Sequence, residues 1–136
     1  MNEMTTAAIA GQEHWTSRDG GVKLFLWEKC VGDPAKTKGT VLFVHGSSMA
    51  GQPTFDLQVP GRPDSSAMDH FAKLGYDCWS VDMEGYGRST KDRDNNAPIS
   101  QGADDCYAAA LYIQKLRGKR PLMLYGISSG ALRAAM

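Results

Sequence analysis

The sequence lacks long apolar runs and an excess of either charge. The longest apolar stretches in its 136 residues, VLFV and YAAALYI, are far too short to cross a bilayer. Its 15 basic and 15 acidic residues give a net charge of zero, which removes the electrostatic reason to expect binding to nucleic acid or to an anionic membrane. We therefore expect neither partner, and the composition is that of an ordinary globular protein.

Cysteine is scarce, and the three that are present, Cys30, Cys78 and Cys106, match neither a disulfide framework nor the C-x-x-C spacing of a zinc site. We expect no metal, no cofactor and a reducing compartment. The N-terminal stretch MNEMTTAAIAGQEHW has no basic residue before Arg18 and no sustained apolar core, unlike a secretory signal. These observations predict a cytoplasmic protein.

The chain alternates between strand-like and helix-like segments. Two β-prone runs flank DGG at 19–21, which predicts a β-hairpin. The unbroken apolar run TVLFV predicts a central strand over residues 40–45, buried on both faces. Two further buried strands, YDCWSVD and PLMLYG, alternate with helices in DSSAMDHFAKLG, SQGADDCYAAALYIQKLRG and SSGALRAAM. This order predicts an α/β fold with a mostly parallel sheet, right-handed crossovers and flanking helices.

Some charged residues and histidines have predicted positions within these elements. Asp104 and Asp105 are expected in the first turn of the second helix, where negative charge suits the helix dipole. His14 in the hairpin and His70 on a helix face are both expected to be solvated.

The segment LYGISSGALRAAM contains a candidate nucleophile site. Gly126, Ser128 and Gly130 form G-x-S-x-G between an apolar strand and a helix start, the context of a nucleophile elbow. A serine at the tip of so tight a turn has strained backbone angles, and the residues two positions away must lack side chains to avoid collision. Ser128 would then present its hydroxyl above the sheet, and the backbone N–H of Ser129 would point toward a developing oxyanion. The alternative is a Gly/Ser-rich turn that only joins a strand to a helix.

The ends of the two other buried strands carry related signals. VLFVHGSS ends a strand in His45-Gly46, and the N–H of Ser47, or less favourably that of Ser48, is a candidate second oxyanion donor. We interpret His45 as a residue held by local hydrogen bonds rather than as a general base. Asp82 ends the next strand, and the glycine-containing loop after it is interpreted as a turn without direct chemistry.

Three motifs together resemble the α/β-hydrolase family. They are HG at 45–46, DMEGYGRS at 82–89 and GISSG at 126–130, each after a buried strand and in the family's order and spacing. The resemblance covers nearly the whole chain, from the hairpin to the last helix. It implies a mostly parallel sheet whose carboxyl edge carries the site.

The resemblance also implies a reaction. Ser128 attacks the carbonyl of a small-molecule carboxylic ester, the backbone N–H groups of Ser47 and Ser129 form the oxyanion hole, and water releases the acyl-enzyme. In the family the acid and the histidine of the triad follow the elbow. Here all three histidines precede Ser128, and the sequence ends at Met136.

We therefore interpret residues 1–136 as the N-terminal part of a single α/β-hydrolase domain. Its C-terminal strands and helices, with the triad acid and histidine, are then outside this sequence, cleaved away or supplied by another chain. The strand PLMLYG would have the earlier VLFV strand on one side and lack its later neighbour, an edge that could pair with the C-terminal part or with another copy.

Two other functions fit the same residues. One is a related enzyme that cleaves a thioester, an amide or a carbon–carbon bond next to a ketone. The other is a non-catalytic truncated or binding relative. A histidine and an acid at the right places in the rest of the protein would favour an enzyme.

Overall fold

A computed structural model describes residues 9–93 and 96–136, which form a five-stranded mixed sheet with helices on both faces. The strands are β1 (Gly11–Arg18), β2 (Val22–Lys29), β3 (Thr40–Val44), β4 (Asp77–Val81) and β5 (Leu122–Gly126). The helices are α1 (Gly51–Phe55), α2 (Ala67–Lys73), α3 (Ile99–Arg117) and α4 (Ser129–Ala135). The strand order is β1-β2-β4-β3-β5, and the predicted α/β fold class is confirmed.

The predicted hairpin is confirmed as β1 and β2, which pair antiparallel from Gly11 opposite Lys29 to Arg18 opposite Val22. Gly20 and Gly21 make the turn with φ values of 84° and 74°, a left-handed conformation that glycine adopts without strain. β2 also pairs antiparallel with β4, so the first half of the sheet is antiparallel.

The second half of the sheet is parallel, with β3 between β4 and β5. All five residues of β3 are buried because helices cover both faces of the sheet. Leu42 and Val44 pack in the core beneath α3, whereas Val41 and Phe43 pack in the core beneath α1 and α2. This strand is an interior strand with a neighbour on each side, as its apolar sequence predicts, although β4 rather than β3 is the middle strand of the five.

Helix α3 begins earlier than expected, at Ile99, so Asp104 and Asp105 lie beyond its first turn and that prediction is wrong. Asp105 is fully buried: its carboxylate pairs with Arg18 of β1 and accepts a hydrogen bond from the Glu84 N–H at 2.8 Å. The Asp105 carboxylate therefore makes tertiary contacts, which the local sequence does not reveal.

The expectation for His14 is also wrong. Its side chain is 13% exposed, with Nδ1 3.0 Å from the Tyr112 hydroxyl and Nε2 3.0 Å from Glu28 Oε1. Its ring lies 4.5 Å from that of Trp79, because α3 packs over this face of the hairpin. His70 is exposed on α2, as expected.

The strand β5 is exposed rather than buried. It pairs with β3 on one side, and among the described residues no strand pairs with its other side. Met123, Leu124 and Tyr125 are consequently 44%, 46% and 53% exposed. In the described parts of the chain, no helix combines the length and the apolar character needed to cross a membrane.

Candidate active site

The turn from β5 to α4 places Ser128 at its tip. Ser128 has φ 57° and ψ −131° and immediately precedes the first residue of α4. Among the described residues only Ala97 and Ser128 have a positive φ without being glycine. Such a conformation is strained for a residue with a side chain and persists where the surroundings impose it.

Gly126 and Gly130 lie where the turn leaves no space for a side chain. A Cβ on Gly126 would lie 2.5 Å from the carbonyl oxygen of Gly130, and a Cβ on Gly130 would lie 2.5 Å from that of His45. Real Cβ atoms essentially never approach backbone so closely. The two glycines therefore allow β5, the turn and the end of β3 to pack backbone against backbone.

The turn after β3 lies directly beside Ser128. A Cβ on Gly46 would be 3.0 Å from the Cβ of Ser128, and the Ser47 hydroxyl lies 2.6 Å from the Ser129 hydroxyl. Neither the N–H of Ser47 nor that of Ser129 has an acceptor among the described residues. The structure thus brings the two predicted oxyanion residues together around Ser128.

His45 is fully buried and both ring nitrogens are occupied. Nε2 accepts a hydrogen bond from the Met83 N–H at 3.0 Å, so Nδ1 carries the hydrogen and donates to the Gly46 carbonyl at 2.6 Å. Burial lowers the pKa of His45 below its ordinary value, and the charge of Arg133 acts in the same direction. This environment favours a neutral residue that orients backbone over a general base.

Asp82, directly after β4, holds the neighbouring loops. Its Oδ1 accepts from the Gly51 N–H at 2.8 Å and its Oδ2 from the Arg88 N–H at 3.0 Å. The Ser89 hydroxyl donates to the Asp82 carbonyl at 2.6 Å. Both carboxylate oxygens are thus engaged with backbone, which supports the interpretation that this loop is structural.

Two residues of the site are not among the site residues predicted from the sequence. Arg133 of α4 is 3% exposed, and its Nη1 donates to the His45 carbonyl at 2.9 Å. The Tyr86 hydroxyl donates to the Ser47 carbonyl at 2.7 Å. The sole hint in the sequence is that Arg133 interrupts an otherwise small and apolar stretch, ALRAAM.

The parallel crossovers, the opening hairpin and the tight strand-to-helix turn define an α/β-hydrolase fold. Residues 35–136 match the family described as serine aminopeptidase S33, and the chain belongs to that family. Among curated proteins, none has a matching sequence.

Solved structures of hydrolases share the fold. An esterase from Pyrococcus furiosus is 18% identical with a TM-score of 0.66, over 93% of this chain and 45% of that one. A carboxyl esterase from Bacillus coagulans is 19% identical with a TM-score of 0.65, over 93% and 39%. A thioesterase domain from the curacin biosynthetic pathway is 25% identical with a TM-score of 0.60, over 92% and 38%. This chain therefore spans less than half the length of each of these three proteins.

Proposed function

We propose that the complete protein is a serine hydrolase of carboxylic esters and that Ser128 is its nucleophile. The observation that carries this proposal is the strained backbone of Ser128 between two glycines that admit no side chain, directly beside the Gly46-Ser47 turn. A strained residue supported from several sides is typical of an active site. Membership of a hydrolase family and a fold shared with esterases add support.

In the proposed reaction the Ser128 hydroxyl attacks the ester carbonyl and forms a tetrahedral intermediate. The N–H groups of Ser47 and Ser129, which have no acceptor within the described residues, donate to the negatively charged oxygen. Collapse expels the alcohol and leaves an acyl-enzyme, which water then hydrolyses. The substrate is a small-molecule ester.

The general base is proposed to come from outside this sequence. His45 has both nitrogens bonded to backbone, and His14 is bonded to Glu28 and Tyr112. The hydroxyl of Ser128 has no hydrogen bond to a histidine among the described residues. The exposed strand β5 offers an edge for the rest of the same domain, or for another copy, to pair with.

Thioester hydrolysis is the second candidate. It is favoured by the thioesterase domain that shares the fold at 25% identity. The same nucleophile and oxyanion donors would act, with a thiolate in place of the alkoxide as leaving group. The two substrate classes are distinguished by kcat/KM for an ester and the matching thioester, because kcat includes the hydrolysis of an acyl-enzyme that both substrates share.

The proposal is tested by Ser128→Ala in the complete protein. We expect loss of hydrolysis of a short-chain aryl ester and loss of labelling by a phosphonate probe, with unchanged circular dichroism. Ser17→Ala, a matched change at an exposed serine of β1, should retain both activities. Full esterase activity in Ser128→Ala would refute the assignment of the nucleophile.

A further inference from the structure

Arg133 is a buried cation that has no carboxylate partner among the residues that the structure describes. Its side chain is 3% exposed, and no Asp or Glu of the described residues forms a salt bridge with it. Its Nε has no hydrogen-bond partner among the described residues. A buried charge without a counter-ion is strongly unfavourable. The buried position of the Arg133 guanidinium therefore needs an explanation other than packing.

Both hydrogen bonds that Arg133 donates to described residues are at the proposed site. Nη1 donates to the His45 carbonyl at 2.9 Å and approaches the Gly46 carbonyl at 3.4 Å. The guanidinium carbon lies 5.8 Å from the centre of the Tyr86 ring, whose hydroxyl holds the Ser47 carbonyl. The charge is thus directed at the short turn that carries one proposed oxyanion donor.

Peptide geometry connects these contacts to the Ser47 N–H. The Gly46 carbonyl and the Ser47 N–H belong to one peptide unit, which is planar and trans, since none of the described peptide bonds is cis. In a trans unit the two groups point in opposite directions. Fixing the carbonyl with His45 Nδ1 at 2.6 Å and with Arg133 therefore fixes the direction of the N–H. Hydrogen bonds accepted by the carbonyl also polarise the N–H and make it a stronger donor.

We propose that Arg133 is a positioning residue for the oxyanion hole: it orients and polarises the Gly46–Ser47 peptide and leaves an unbalanced positive charge behind it. This inference rests on the proposed serine-hydrolase function. Arg133 forms no bond with the substrate and exchanges no proton. Its contribution is largest in the tetrahedral transition state, where full negative charge develops, and small for the neutral carbonyl of the bound ester.

The test is a comparison of kcat and KM in the complete protein for the wild type, Arg133→Met and Gly102→Ala. Methionine keeps an unbranched apolar stem of similar reach and removes the charge and the donors. A Cβ on Gly102 would lie 2.5–2.6 Å from Cγ, Cδ and Nε of Arg133, so Gly102→Ala displaces the guanidinium without deleting it. Alanine also has the better helix propensity, which keeps α3 folded.

We expect kcat to fall roughly tenfold to a hundredfold in Arg133→Met, less than the ~10²–10³-fold loss on removing a direct donor, with KM little changed. Gly102→Ala should lower kcat in the same way, and the double variant should show little further loss because both changes act through one contact. As a control, Ile113→Ala loosens the buried face of α3 elsewhere and should leave kcat near that of the wild type.

The possible failures are distinguishable. Absence of Ser128-dependent turnover in the wild type would overturn the proposed function and this inference with it. Ser128-dependent turnover with an unchanged kcat in folded Arg133→Met would overturn the inference alone. If circular dichroism shows that Arg133→Met does not fold, the kcat of Gly102→Ala is the test instead. A kcat of Gly102→Ala equal to that of the wild type would then overturn the inference. An equal loss of kcat in Ile113→Ala would show that Arg133 acts only through general stability.

Discussion

Replacing Asp77 with asparagine should change how the stability of the protein depends on pH. Asp77 is the first residue of β4, fully buried at the end of the sheet opposite to Ser128. Its Oδ2 accepts a hydrogen bond from Trp79 Nε1 at 2.9 Å, whereas Oδ1 has no partner among the described residues. Arg117 lies 2.7 Å from Glu28 but 3.5 Å from Asp77. One guanidinium therefore faces two buried carboxyl groups.

Burial raises the pKa of Asp77 from 3.8 to about 7, and the negative charge of the nearby Glu28 carboxylate acts in the same direction. With Asp77 protonated, the charges of Arg117 and Glu28 balance. Because the pKa is higher in the folded than in the unfolded state, this group's contribution to stability is complete below pH ~4 and is lost as the pH rises through 7. At about 1.4 kcal/mol for each pKa unit, the loss between pH ~5 and pH ~8.5 is at most about 3 kcal/mol.

His14 has an opposing effect in the same cluster. Burial lowers its pKa, and the neighbouring charge of Arg117 adds to this, so its contribution to stability is lost as the pH falls rather than as it rises. The pH profile of the wild type alone therefore mixes two slopes of opposite sign. The difference between the wild type and Asp77→Asn cancels the part of the His14 slope that both proteins share. It also includes the loss of the Asp77 charge, and that charge raises the pKa of His14.

The assay is denaturant unfolding of the complete protein at pH ~5 and pH ~8.5. Asparagine is neutral at both pH values. The free energy of unfolding of Asp77→Asn, taken relative to that of the wild type, should therefore increase by up to about 3 kcal/mol from pH ~5 to pH ~8.5. Asp104→Asn, a matched change at an exposed position of α3, should show no such increase. A difference between Asp77→Asn and the wild type that is the same at both pH values would refute the reasoning.

Two further predictions concern the proposed site. Ser47→Ala keeps the backbone N–H and should retain most activity, whereas Ser47→Pro, which lacks it, should lower kcat by about two to three orders of magnitude; equal kcat values in the two folded variants would remove Ser47 from the oxyanion hole. Residues 1–136 alone should show no Ser128-dependent ester turnover and should aggregate, since His45 is occupied by backbone and β5 exposes its edge. Robust Ser128-dependent turnover by a purified monomer of these residues would contradict that expectation.

The parts of the fold that the sequence predicts are those controlled by local signals. The hairpin follows from two glycines in a turn between β-prone runs, and β3 follows from five consecutive residues that all become buried. The elbow has a local signal as well, because its glycines are required by backbone contacts within and beside the turn. Spacing along the chain carries such information.

The parts that the sequence does not predict depend on residues far apart in the chain. The sequence suggests that His14 is solvated. In the structure α3, nearly a hundred residues later in the chain, covers His14 with Tyr112. The sequence suggests that Asp105 interacts with the helix dipole, whereas in the structure it forms a salt bridge with Arg18. The short helix α1 is not among the helices predicted from the sequence, and its Phe55 packs against Phe43, with ring centres 5.1 Å apart. In each case a tertiary contact overrides the local preference.

The elbow and the turn after β3 behave as one packed unit, and this bears on how substitutions near Ser128 should be interpreted. Because β3 and β5 are neighbours in the sheet, their carboxyl ends meet, and Gly130 packs against the backbone of Val44 and His45. Arg133, one turn further along α4, donates to the carbonyl of that same His45. A side chain introduced at Gly130 would therefore displace the end of β3 together with α4. It would change the spacing between the proposed donors Ser47 and Ser129 without touching either, so a loss of activity there would support the geometry of the oxyanion hole rather than a chemical role for residue 130.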